Sequence, residues 1–151
     1  MRFYRRQARS TFWMAVIVFS LMLIGWRSPA LGLSKKDLRR INDQGPVEIA
    51  VMYLNPLQKE AGPELSFEVR MNTHSVDLDA YKIENMSFFR IDGGPEQKAL
   101  GWFKPGGGGH HIFGVLKFAG PIPSEARSLQ VIIRGIGGVG ERIFEWKLPL
   151  E

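Results

Sequence analysis

The sequence has 151 residues, enough for one domain. It contains no cysteine, which excludes disulfides, thiolate zinc sites, iron–sulfur clusters, covalent c-type haem, blue-copper ligation and lipoprotein acylation. The net charge is +5, but the basic excess lies before Leu33, where five basic residues and no acidic residue occur. The other 15 basic residues balance the 15 acidic ones, so the charge does not predict a nucleic-acid partner.

The N-terminus has the pattern of an export signal. Residues 1–10 carry four arginines, and residues 11–26 are almost wholly apolar until Arg27 ends the run. A charged region followed by a short apolar run is typical of signal peptides, whereas a spanning helix usually needs about 20 apolar residues. We therefore expect residues 1–32 to be a signal peptide or an uncleaved signal-anchor, with residues 12–26 as the hydrophobic helix. Both forms predict an exported domain, in the periplasm or at the cell surface, and the uncleaved form adds attachment to the membrane.

The next segment, residues 33–46, is polar and charged. Its composition predicts a linker between the leader and the domain. Ser34 followed by Asp37 is a spacing that can cap a single helical turn.

From residue 47 onward, apolar and polar residues alternate with period two, which is typical of half-buried strands. Turn formers rich in glycine and proline separate these runs. The pattern predicts an all-β fold over residues 47–150: a single antiparallel β-sandwich of about seven strands and of immunoglobulin-like type. The predicted strands are Val47–Tyr53, Glu64–Asn72, Met86–Asp92, Ala99–Phe103, His111–Phe118, Leu129–Ile136 and Arg142–Leu148.

Three histidines are the main candidates for chemistry. His74 follows a predicted strand, and His110 and His111 open another after a run of glycines. Imidazole binds zinc and copper, and the carboxylates of Asp77 and Asp79 are possible further ligands. Adjacent residues of a regular strand point to opposite faces, so both His110 and His111 could bind one metal only if the glycines distort the backbone. The alternative is that the histidines bond to loop backbone or are solvated.

Two glycine runs are predicted to be loops. Residues 105–109 lack the lysine and hydroxyl residue of a phosphate-binding loop and precede a strand, which favours a flexible hairpin loop. Residues 137–140 are expected to turn the hairpin between the last two strands. Beside the first run, Trp102 and Phe103 are predicted core residues, although one of them could be exposed and contact a protein or glycan.

Three segments resemble a group of exported bacterial β-sandwich domains of immunoglobulin-like type without an assigned function. They are NTHSVDLD at 72–79, GGHH at 108–111 and IGGVGERIFEW at 136–146. The resemblance implies an exported sandwich and supplies no catalytic residue. The familiar copper-binding sandwiches place methionine or cysteine beside their histidines, and this chain departs from that pattern.

The sequence thus favours a non-enzymatic module of the cell envelope that binds an envelope protein or glycan through loops at one end of a sandwich. No nucleophile-elbow sequence is present. The alternative hypothesis is a zinc-binding or copper-binding envelope protein. Its predicted ligands are His74, His110, His111, Asp77 and Asp79.

Overall fold

A computed structural model describes residues 33–60 and 62–150. The predicted signal or anchor segment, residues 1–32, lies outside the described residues. Residues 33–151 form a compact unit of their own. Nine strands make up most of the described part: β1 (Arg39–Asn42), β2 (Val47–Tyr53), β3 (Glu64–Thr73), β4 (Ser87–Ile91), β5 (Gln97–Lys98), β6 (Gly101–Gly108), β7 (His111–Ala119), β8 (Ser128–Arg134) and β9 (Glu141–Lys147).

The strands form two antiparallel sheets, one in the order β1-β2-β3-β7-β6 and one in the order β5-β4-β8-β9. Side chains from both sheets form one apolar core, so the prediction of an all-β, sandwich-like arrangement is confirmed. All seven predicted strands are present, and β1 and β5 are additional. No helix in the described residues is long and apolar enough to cross a membrane.

The period-two pattern explains which side of each strand is buried. In β3, Leu65, Phe67, Val69 and Met71 are buried, as their spacing predicts. In β9, alternate residues are buried in the same way, and Phe144 and Trp146 face the core while Ile143 is exposed.

Residues 33–46 do not form the linker that their polar composition predicts. They contain a helical turn, α1 (Lys35–Leu38), and strand β1, which pairs with β2. Leu38 is buried, and its carbonyl accepts a hydrogen bond of 2.8 Å from the Trp146 indole. The segment is polar because β1 is an edge strand with one solvated face, so its composition resembles that of a linker.

Ser34 and Asp37 cap the helical turn, as their spacing predicts. The Asp37 carboxylate accepts hydrogen bonds from the Ser34 hydroxyl at 2.6 Å and from the Ser34 amide at 2.8 Å. These bonds favour the ionised carboxylate and hold the pKa of Asp37 below its usual value.

An aromatic cluster centred on Phe67 joins the two sheets. Its ring centroid lies 5.0 Å from Tyr53 and 5.8 Å from Phe118 in its own sheet. It also lies 5.3 Å from Trp146 and 5.8 Å from Phe89 in the opposite sheet. Tilted and edge-on contacts at these separations are favourable, so Phe67 stabilises the packing of sheet on sheet.

Arg142 is a charged residue in the interior. It occupies an inward position of β9, and its side chain is buried. Its guanidinium donates to the carbonyls of Ile136 at 2.8 Å and Gln44 at 2.6 Å, and to the Asn42 side-chain oxygen at 3.1 Å. Burial lowers the pKa of Arg142, but an arginine retains its charge at any ordinary pH.

Replacing Arg142 with methionine should destabilise the domain by about 3–5 kcal/mol, because the buried carbonyl of Ile136 would lose its donor and the bonds to Asn42 and Gln44 would be lost as well. Denaturant unfolding of residues 33–151 measures this. Arg127→Met is the matched control, since Arg127 is exposed, and its effect should stay within about 0.5 kcal/mol. Equal losses for the two variants would contradict this role for Arg142.

Candidate functional site

The two histidine-bearing segments meet at one end of the five-stranded sheet. Strand β3 ends and its antiparallel neighbour β7 begins at this end. Two backbone hydrogen bonds join the segments, from Thr73 N to His110 O at 3.0 Å and from Leu78 N to Gly109 O at 2.8 Å. We call residues 72–79 and 108–111 together the histidine end.

Most of the candidate ligands in the histidine end make local hydrogen bonds. The Asp79 carboxylate accepts from the Gly109 amide at 2.9 Å, and the Asp77 carboxylate accepts from the Asp79 amide at 3.1 Å. His111 Nδ1 lies 3.0 Å from the Asn72 side-chain oxygen. His74 and His110 are exposed.

Backbone hydrogen bonds of the histidine end bring the segments that carry the candidate ligands into one region. All five lie in the described part of the chain, and no group of three or more histidine or acidic side chains there could hold a metal ion. His111 opens a regular strand, where neighbouring side chains point to opposite faces. Both carboxylates accept hydrogen bonds from backbone amides, which fixes their orientation within the loop.

Most of the glycine run before His110 belongs to a strand and not to the predicted flexible loop, and Gly109 lies in the turn that follows. β6 continues through residues 106–108, which pair with β7 after a bulge that follows Phe103. At Gly107, φ is +82°, and an added Cβ would lie 1.9 Å from the His111 carbonyl oxygen. At Gly107 only glycine fits, because the bulged backbone passes too close to the backbone of β7 for a side chain. The second run, residues 137–140, does connect β8 to β9 as predicted.

A groove of about 550 Å³ lies beside the histidine end, between residues 78–84 and strand β6. Trp102 and Tyr81, both half-buried, contribute aromatic surface to it. The Trp102 indole lies against the backbone of Gly114, where a Cβ would meet its Cζ2 atom at 2.6 Å. Tyr81 is held by a hydrogen bond of 3.2 Å, in which its hydroxyl oxygen accepts from the Gly137 amide. Both rings are thereby fixed in place.

Charged side chains also line the groove. Asp79 and Glu84 supply carboxylates and Lys82 supplies an ammonium group. The groove therefore combines aromatic surface with hydrogen-bonding groups of both signs, as binding sites for polar organic ligands do. These three charged residues lie in a segment with two short 3-10 turns, which has no alternating strand pattern. Of the three, only Asp79 was therefore identified from the sequence as a candidate.

Two aromatic side chains are exposed on the outer face of the five-stranded sheet. Phe103 is 41% exposed, so its prediction as a core residue is wrong and the alternative of one exposed aromatic holds, while Trp102 packs against the core. Phe113 is 43% exposed. The Lys117 ammonium lies 5.0 Å from the Phe103 centroid, and the Arg70 guanidinium lies 5.4 Å from that of Phe113. Phe113 was not identified from the sequence as a surface residue. It lies two residues after the exposed His111 in β7, so the alternation of the strand places both side chains on the same, outer face.

Comparison of the chain with protein-family models, curated proteins and solved structures finds no match. The resemblance to exported bacterial sandwich domains therefore stays a prediction.

Gly107→Ala should destabilise the domain by about 2–4 kcal/mol, because the new methyl group would collide with the backbone of β7. Gly109→Ala is the matched control. Gly109 also has positive φ, but a Cβ there meets no atom within 4 Å. Gly109→Ala should therefore lower the free energy of unfolding by only about 1 kcal/mol, which is the cost of a left-handed backbone conformation in a residue with a side chain. Thermal and denaturant unfolding compare the variants, and equal losses would show that β6 does not approach β7 as described.

Proposed function

We propose that the chain is an exported, non-enzymatic binding module of the cell envelope, built on an immunoglobulin-like sandwich. The N-terminal pattern of arginines and apolar residues supports export. The groove beside the histidine end carries the binding proposal, because it joins fixed aromatic surface to a charged rim.

An envelope glycan suits this groove better than an extended protein segment. A protein segment would pair with the free edge of β6, and three features of that edge oppose pairing. Pro105 has no amide hydrogen, Lys104 has a positive φ of 49°, and the strand is bulged there. Sugar rings instead stack on aromatic side chains, and their hydroxyl groups donate hydrogen bonds to carboxylates. In the groove, Trp102 supplies the aromatic surface and Glu84 the carboxylate.

Calorimetric titration of residues 33–151 with soluble peptidoglycan fragments tests the proposal. We expect saturable binding that Trp102→Leu weakens at least tenfold, as the loss of a central aromatic contact does. Phe103→Leu is the matched control, because Phe103 is the next residue and faces the opposite side of the sheet; binding should be unchanged. Equal weakening in both variants, or capture of an envelope protein with no glycan binding, would contradict the glycan assignment.

Metal binding is the second candidate function. One observation favours it: backbone hydrogen bonds hold the segment bearing His74 against the turn bearing His110. Zinc or copper would need His74, His110 and His111, assisted by Asp77 or Asp79, to reorient toward a common point.

Zinc and copper(II) should leave the melting temperature of residues 33–151 unchanged relative to chelator, because the five side chains form no metal-holding group. Differential scanning calorimetry of the wild type and of His74→Ala checks this. A rise with metal in the wild type that disappears in His74→Ala would instead establish a selective site and make metal binding the leading function.

A further inference from the structure

The outer face of the five-stranded sheet carries a second surface, independent of the groove. Four basic side chains surround a hollow of about 390 Å³ on this face. We call them the basic face: Lys35, Lys36, Arg39 and Arg70. All four are exposed.

The positive charge of the basic face is only partly neutralised. Glu68 is the acidic residue that lines this hollow, and it is paired with Arg70 at 2.8 Å. Within the described residues, Lys35, Lys36 and Arg39 form no ion pair. Three cations therefore remain available to an anionic partner.

Exposed apolar side chains flank these cations. Arg39 and Arg70 also line an adjoining hollow of about 420 Å³ that includes Phe113. Phe113 is 43% exposed, and Ile41, two residues beyond Arg39 on β1, is 57% exposed. Cations beside apolar side chains are the combination that binds the interface of an anionic bilayer, where charge attracts the headgroups and apolar groups enter the acyl boundary.

The position of the basic face in the chain points to the same partner. It begins at Lys35, eight residues after Arg27, where the predicted membrane segment ends. Fully extended, that stretch spans at most about 28 Å. If the anchor is retained, Lys35 must lie within that distance of the bilayer, and Lys36 within about 32 Å.

We propose that the basic face binds a membrane surface containing anionic phospholipid. Lys35, Lys36 and Arg39 supply the attraction, and Phe113 and Ile41 supply the apolar contact. This surface does not include the groove, so the proposal stands independently of glycan binding.

Sedimentation of residues 33–151 with vesicles tests the proposal, since this unit contains the whole described core. The vesicles contain phosphatidylcholine alone or with phosphatidylglycerol. We expect binding only to the second kind, and weaker binding as salt is added. Lys35→Gln/Lys36→Gln/Arg39→Gln should weaken it about 100-fold, which corresponds to about fivefold for each cation.

The matched control is Lys59→Gln/Lys98→Gln/Lys147→Gln, which removes the same charge from exposed lysines outside the basic face. It should keep nearly all of the binding, and circular dichroism should show both triple variants folded. Equal binding to the two kinds of vesicle, or equal loss in the two triple variants, would overturn the proposal. Binding of soluble polyphosphate but not of anionic vesicles would also overturn it and would assign the basic face to a soluble or cell-wall polyanion.

Discussion

The buried guanidinium of Arg142 is the interaction on which much of the structure depends. It links β9 of one sheet to Asn42 and Gln44, at and just after the end of β1 in the other, and it also binds the carbonyl of Ile136 in the β8–β9 turn. All the oxygens that it contacts among the described residues are neutral. The charge is therefore compensated by dipoles, and the geometry of the turn and of the strand ends has to hold those dipoles in place.

This arrangement extends to the candidate site. Arg142 donates a hydrogen bond to the carbonyl of Ile136 and so holds that residue in place. The amide of the next residue, Gly137, donates to the Tyr81 hydroxyl. Tyr81 in turn lines the groove. On the other side of the groove, Trp102 lies on the backbone of Gly114, a residue of β7. The two aromatic surfaces are thus positioned by opposite sheets, and the sandwich core sets the distance between them.

The sequence predicted the strands well because period-two alternation directly reflects burial; β2, for example, has the predicted bounds. The sequence was less informative where a polar or glycine-rich segment forms a strand. The polar residues of β1 resemble a linker, and residues 106–108 resemble a loop although β7 pairs with them. Arg142 has the same inward position in the alternation as Phe144 and Trp146, but arginine is rarely buried, so its residue type did not indicate a core position.

The candidate site was predictable only in part. The sequence placed His74 and His110 at strand ends, and the structure shows that those ends meet through backbone hydrogen bonds. It could not show whether the side chains converge, since that depends on local turns and on carboxylates that bond to nearby amides. The groove was not predicted because residues 78–84 and β6 are distant in sequence and become neighbours only through the sheet order.

The most direct test of the proposed binding site is an amide chemical-shift map of residues 33–151 during titration with soluble peptidoglycan fragments. If the groove is the binding site, shifts should concentrate at residues 81–84, Trp102 and residues 106–107, with the β1 and β2 amides unchanged. Shifts centred on Arg39 and Arg70, or no shifts at saturating fragment, would contradict that assignment.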